Sequence, residues 1–506
     1  MHHDHTGKYD VIIIGSGIGG LILGALLSKE KRILLLEKND HFGGYCLSFT
    51  RGDFTFEAAV EAINGLKKGQ TIYEIFEKAG TLKDLSFTAP KHLYRAIYPE
   101  HDFRVPQANL PAYKNLLNSL FPNEKTGIDK LFQEMEYIYA EINTLDRKKT
   151  LVKCPHILAY YKSTTDEMMN KYVKDKKLKA ILSQYWLYCG LPPSQSSSIT
   201  FSYICYDYIR NGGYYPKKGM EQLVNACINV IKKNGGNAIK DSEVSKINNI
   251  GDKIGEVVLT NKKRFKADFF VSNIDVLKTF SMLSSRNEAT DTFTKKARNN
   301  ETSISAFKVY LGLNVDLNKL GMKDYEVFIN PSYDVDKMYN ASLQNDAEEA
   351  AISLTVYSNL EPNLCPKEKS VLSIAMLSGY DFWESLSKKE YEKTKEKIAN
   401  ALIKRSQRLI PNLPNYIEEK IVGTPLTMER YTGNSRGAIY GWKKGNLYDE
   451  IRFMKVATPI KNLFLSSHWT KIGGGIAGVI RTAERACDLL QNKSQENSKT
   501  LKSTRI

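Results

Sequence analysis

The chain has 506 residues and a formal net charge of +16, from 72 Lys and Arg against 56 Asp and Glu. That length implies two or three domains rather than one small core. A composition that is 42% hydrophobic and 25% charged excludes both a mostly disordered chain and a polytopic membrane protein. The positive charge has two readings: attraction to an anionic membrane surface or nucleic acid, or a Lys-rich chain with basic solvated faces. Seven cysteines (Cys46, Cys154, Cys189, Cys205, Cys227, Cys365 and Cys487) form neither a CxxC pair nor a metal-type spacing with His. They read as reduced thiols of a cytoplasmic protein. His2, His3 and His5 fall in a short polar stretch read as a leader, and no metal site is expected.

Val11 to Ser28 is apolar and nearly long enough to span a bilayer, but it carries Gly15, Gly17, Gly19, Gly20 and Gly24. Tyr9 to Ile14 reads as a buried parallel strand and Gly20 to Ser28 as a helix packed on its sheet. Between them, Gly15-Ser16-Gly17-Ile18-Gly19-Gly20 is a GxGxxG turn. Gly15 permits the turn, Gly17 lets a pyrophosphate approach the backbone, and Gly20 lets helix and strand pack closely. The helix start then offers free N–H groups to the phosphates. Arg32 to Leu36 reads as a second strand, ending in Glu37, a carboxylate placed to hold ribose hydroxyls. Such a unit serves NAD or FAD. After Glu37 and Lys38 comes a second glycine pair, Gly43-Gly44, and this arm resembles that of the glutathione-reductase-like FAD proteins.

Later segments extend the resemblance. Gly212-Gly213-Tyr214-Tyr215-Pro216 to Gly219-Met220 resembles an element of the phytoene desaturase, carotenoid isomerase and retinol saturase group. Further segments similar to that group are Ala267 to Asp275, Thr424 to Tyr431, Gly437 to Trp442 and Asn462 to Ile476. The resemblance spans Tyr9 to Leu490. It implies an α/β fold: a discontinuous Rossmann-like FAD-binding domain with an inserted mixed-sheet and helical substrate domain. The expected limits are 1–90, 210–290 and 423–491 for the FAD domain, 91–209 and 291–422 for the insertions, and 492–506 as a disordered tail. It also implies that Val244 holds adenine through its backbone, and that His468, Gly474, Gly475 and Ile476 lie at the flavin. Relatives often carry an acid where His468 stands, and a packed or hydrogen-bonded histidine is the expectation here. Glu57 and Ala58 depart from the group's pattern and receive no role.

Between 150 and 210 the chain is dense in aromatics, among them Tyr160, Tyr185, Trp186, Tyr188, Tyr203 and Tyr208. They read either as helix packing or as the lining of an apolar tunnel. Lys171 to Lys179, with five lysines around Tyr172, Val173 and Leu178, reads either as a solvated helix or as a membrane-facing one. No nucleic-acid-reading module or P-loop is present in the sequence.

The resemblance implies FAD-dependent redox or isomerisation of a hydrophobic polyene by hydride transfer at the flavin, as desaturase, saturase or cis–trans isomerase. No acid–base pair stands out, so catalytic residues are unassigned. Two alternatives share the fold: a flavin amine oxidase, and a non-enzymatic carrier of lipidated clients. The expected partner is a hydrophobic small molecule, with no nucleic acid. The charge keeps peripheral contact with the inner face of a membrane as an expectation.

Overall fold

A computed structural model describes residues 9–145, 151–446, 453–471 and 473–503; the leader histidines lie outside them. Strand β1 (Tyr9–Ile14) is buried except at Asp10, as a strand covered on both faces must be. Helix α1 (Ile18–Leu27) has all ten residues buried, which explains a segment apolar enough to suggest a membrane span. It packs on strand β2 (Ile33–Leu36) and against the helices Met220–Lys233 and Gly475–Ser503. Among the described residues, no helix is long and apolar enough to cross a membrane.

β1 is the centre of a seven-stranded sheet. It pairs in parallel with β2 on one side and with Arg264–Ser272 on the other. Asn237–Ile239 adds beyond β2, and Leu463–Leu465 pairs in parallel with Arg264–Ser272. The antiparallel strands Val244–Ile250 and Lys253–Leu259 complete it. In such a sheet the ligand crevice opens at the carboxyl ends of the parallel strands, where β1 runs into Gly15.

A second sheet also has seven strands, in the order Ile417–Gly423, Ser305–Leu313, Ser370–Ser378, Ile352–Val356, Glu326–Ile329, His92–Ile97 and Asp102–Pro106. Only the pair Glu326–Ile329 with His92–Ile97 is parallel, so this sheet is mixed, as expected. Helices Lys125–Leu145 and Ser198–Asn211 pack on each other beside it. The first sheet thus takes strands from three stretches of chain and the second from two. On that arrangement we propose the domain limits given above.

Residues 492–503 differ from expectation, and 504–506 lie outside the described residues. The last helix does not stop near Leu490 but runs Gly475–Ser503. Gln491 to Ser503 contains no Gly or Pro, and its Gln, Lys, Glu and Leu residues tolerate helix well enough to prolong one already nucleated.

Candidate functional site

The turn after β1 is closed by backbone. Gly15 has φ +92° and donates its N–H to the Leu36 carbonyl at 2.8 Å, tying the turn to β2. A Cβ on Gly20 would lie 2.5 Å from the Gly15 oxygen, and one on Gly19 would lie 2.5 Å from the Ser466 oxygen. Those two glycines pack rather than line the cavity, whereas Gly15, Gly17 and Ile18 form its wall. No side chain caps α1, so its first-turn N–H groups have no side-chain acceptor at this wall. Gly43 bridges in parallel to Gly17, and a Cβ on Gly44 would lie 3.2 Å from the Gly17 Cα. The second doublet therefore packs directly onto the first turn.

Glu37, at the end of β2, is nearly buried and lines the same cavity. Its carboxylate accepts from the Ser16 N–H at 2.9 Å and the Ser16 hydroxyl at 2.5 Å. It also accepts from the Asn39 N–H and the Asn39 side-chain amide, both at 3.0 Å. Neighbouring Lys38 donates to the Arg430 carbonyl at 3.0 Å, and burial, with Lys278 nearby, lowers its pKa. Val244 lines the cavity at the start of its strand.

His468, Gly474, Gly475 and Ile476 form another part of the wall. Gly474 and Gly475 have φ +107° and +63°, letting the chain turn into the last helix. Burial lowers the His468 pKa to about 4, so the ring is neutral near pH 7. It stands edge-on to Trp469 with centroids 5.0 Å apart. The sequence suggested a packed or hydrogen-bonded histidine, and the ring does pack against Trp469.

Sequence reasoning missed the chamber beyond. One row across the second sheet (Lys308 opposite Ala375, Ala375 opposite Ser353, Ser353 opposite Phe328) lines the cavity. The small central pair leaves space between the larger ends. Facing this row are Tyr188 and Tyr208, while Tyr185, Trp186 and Phe201 pack in the core. The aromatic segment thus divides between core packing and the cavity wall, with Tyr208 belonging to both.

Two ion and hydrogen-bond systems serve this chamber. Lys308 is 3% exposed and lies 3.1 Å from the Glu61 carboxylate. Tyr188 donates to Glu326 at 2.5 Å. Burial, and secondarily Glu61, push the Glu326 carboxyl up to about 8. Nearby, Glu57 is pushed up to about 7 by burial; it accepts from the Met220 N–H at 3.0 Å, the Ser48 hydroxyl at 2.9 Å and the Tyr215 hydroxyl. It therefore anchors the Tyr215-Pro216 to Met220 element to the first β-hairpin, a structural role that its departure from the family pattern concealed.

A family model described as flavin containing amine oxidoreductase matches residues 18–491. The chain belongs to that family. It is an FAD-dependent oxidoreductase, which removes the carrier alternative. Among relatives, the all-trans-retinol 13,14-reductase of Danio rerio is 25% identical, over 96% of this chain and 86% of its own. The prolycopene isomerase 2 of an Oncidium hybrid cultivar is 27% identical, over 87% and 76% respectively. An oxidoreductase structure from Methanosarcina mazei shares the fold, with a TM-score of 0.67 at 14% identity, covering 95% of this chain and 100% of that one.

Two expectations follow for this flavoprotein. In Gly17→Glu the added Cβ would lie 2.7 Å from the Asn273 amide, and its carboxylate would stand at the cavity wall beside the start of α1, where it would repel a pyrophosphate held there. The purified variant should lack visible flavin absorbance even after FAD is added. Glu326 titrates near 4.5 when free and near 8 when folded. Between those values the folded protein keeps a proton the unfolded chain has lost, so stability falls as pH rises through this window. Glu326→Gln should make the thermal midpoint fall less between about pH 5 and 8 than it does in the parent.

Proposed function

We propose that the enzyme acts on a polyene substrate, as a saturase or a cis–trans isomerase, with FAD held along the Gly15–Gly20 turn. The observation that carries this reading is one continuous cavity of 1580 Å³ that takes in Gly17 and Glu37, Gly474 and Gly475, and Tyr188 and Phe328. A pocket for one drug-sized ligand is about 300–1,000 Å³. This volume therefore has room for a dinucleotide and a second, elongated apolar ligand. Relatives named as a reductase and an isomerase favour saturation or isomerisation over desaturation.

FAD fits the residues present. The cradle between Gly17 and Gly44 is one a Cβ would fill, and it adjoins uncapped helix N–H groups. Gly15, Gly17 and Ile18 would take the pyrophosphate, with Gly43 and Gly44 closing over it. Gly19 and Gly20 would support that contact by packing. Glu37 would take ribose hydroxyls, in place of the Ser16 hydroxyl it now accepts, with Lys38 and Val244 on the adenosine side. Gly474, Gly475, Ile476 and neutral His468 would bound the flavin, the helix start facing charge on its reduced form. When bound, FAD supplies hydride exchange with the substrate. The chain's own residues orient the polyene along the Ala375–Ser353 trough and keep water from the reacting carbons.

Access from a membrane surface is part of this reading. Leu151 and Ile157 line the cavity, while Val152 is 82% exposed and Leu158 also stands in solvent. Lys153 and Lys162 flank them in sequence. An apolar tip beside basic residues suits peripheral docking at an anionic bilayer. The lysines of 171–179 are partly engaged elsewhere, Lys177 with Glu100 and Lys171 over the Tyr160 ring.

Two measurements test the reading. Dithionite-reduced, FAD-loaded protein should be incubated anaerobically with extracted host lipids and the products weighed. A gain of two hydrogens marks saturation, and a changed retention at constant mass marks isomerisation; the absence of both changes overturns the polyene reading. The protein should also co-sediment with anionic vesicles at low salt and be released at high salt. Val152→Asp with Leu158→Asp should abolish that binding, whereas no salt-sensitive binding by the parent would leave the charge as solvated basic faces.

A further inference from the structure

The chamber holds a charged pair that a pure hydrocarbon would not use. Three tyrosine hydroxyls pin the chain at Ala58–Glu61: Tyr310 donates to the Ala58 carbonyl at 2.6 Å, Tyr357 to Val60 at 3.5 Å and Tyr325 to Glu61 at 2.5 Å. They fix Glu61 at the cavity wall. Lys308 has three N–H donors, and three protein acceptors lie within reach: Glu61 Oε1 at 3.1 Å, Tyr357 OH at 3.3 Å and the Ala59 carbonyl at 3.4 Å. The lysine is thus spent on the protein. Glu61 is not: Oε1 meets Lys308, whereas Oε2 has no hydrogen-bond partner among the described residues.

Neighbouring hydroxyls have the same polarity. Tyr188 gives its proton to Glu326, Tyr208 to the Ala62 carbonyl at 3.3 Å and Tyr440 to the Leu187 carbonyl at 3.0 Å. All three line the cavity and offer it oxygen lone pairs. A ligand that fills this space without a hydrogen-bond donor would strip water from a carboxylate oxygen and return nothing.

We propose that Glu61 is a specificity residue, and that the polyene accepted here carries a hydroxyl group whose proton Glu61 Oε2 takes in a hydrogen bond. This deepens the polyene reading above and rests on it. A neutral donor is favoured over a cation. Lys308 already supplies the counter-charge to Glu61, and burial keeps the Glu326 and Glu57 carboxyls largely or partly protonated near neutral pH. A second cation would meet Lys308 at close range with little negative charge left to offset it. A carboxylate end would instead meet Glu61 as a like charge.

The test uses three ligands of one shape: all-trans-retinol, its methyl ether and retinylamine, titrated into FAD-loaded protein by equilibrium dialysis. The alcohol should bind at least about tenfold more tightly than the ether, the worth of one hydrogen bond to an ionised group. Glu61→Met should cancel that difference; if it fails to fold with Lys308 stranded, the double variant Glu61→Met, Lys308→Met replaces it. An ether that binds as well as the alcohol, or an amine that binds more tightly, overturns the hydroxyl subsite while leaving the polyene reading in place. If none of the three binds, the hydroxyl subsite falls, and the polyene reading stands or falls by the lipid incubation above.

Discussion

The close backbone contact between the Gly15–Gly20 turn and the Gly43–Gly44 doublet is the constraint on which the rest of the site depends. Side chains are excluded from it: a Cβ at Gly19 or Gly20 would sit 2.5 Å from a carbonyl oxygen. That exclusion brings α1 against β1 and points the helix start at the cavity. It also seats the segment after Gly44 where Ser48 and Glu57 can hold the helix Met220–Lys233. From the same segment the chain continues to Ala58–Glu61, the loop that joins the cofactor side of the cavity to the second sheet. A glycine turn thus governs side chains many residues away through an unbroken series of packed contacts.

Much of this was legible in the sequence, because close backbone approach leaves a compositional mark. Strand, GxGxxG, helix, strand and acid arrive in order, and Gly15, Gly17 and Glu37 all reach the cavity. Glu61 and Lys308 left no such mark. They lie 247 residues apart and meet only through the register of the second sheet and the three tyrosines that pin the loop. A lone Lys in an apolar strand and a lone Glu in a Gly- and Ala-containing loop are each unremarkable alone. The length of the last helix was missed for another reason. Polar residues without apolar periodicity read as tail, yet they can extend a helix whose nucleus is already packed.

The buried acids divide by environment. Glu37 accepts four hydrogen bonds. Glu61 has a cation beside it. For Glu57 and Glu326 burial outweighs both the hydrogen bonds they accept and the charge of Lys308, and they keep their protons to higher pH. Such a mixture leaves the chamber rich in acceptors, whereas the Gly15–Ile18 wall adjoins an uncapped helix start. On the reading proposed above, the cavity would present opposite hydrogen-bond polarity to FAD and to the polyene, and neither would gain by taking the other's place.

The two sheets are each stitched from distant stretches of chain. β1 gains its second neighbour only when Arg264–Ser272 arrives, that strand waits in turn for Leu463–Leu465, and His92–Ile97 waits for Glu326–Ile329. During synthesis at about 5–20 residues per second, neither sheet can close until most of the polypeptide has been made. Pairings of such long sequence separation carry a high loop-closure cost and fold slowly. The wall of the cavity is completed late, since the turn at Gly15–Ile18 shares it with the helix start at Gly475. A ligand that bridged these two ends would bind only after Gly475 had been made, and until then the apolar strands would stand exposed to aggregation.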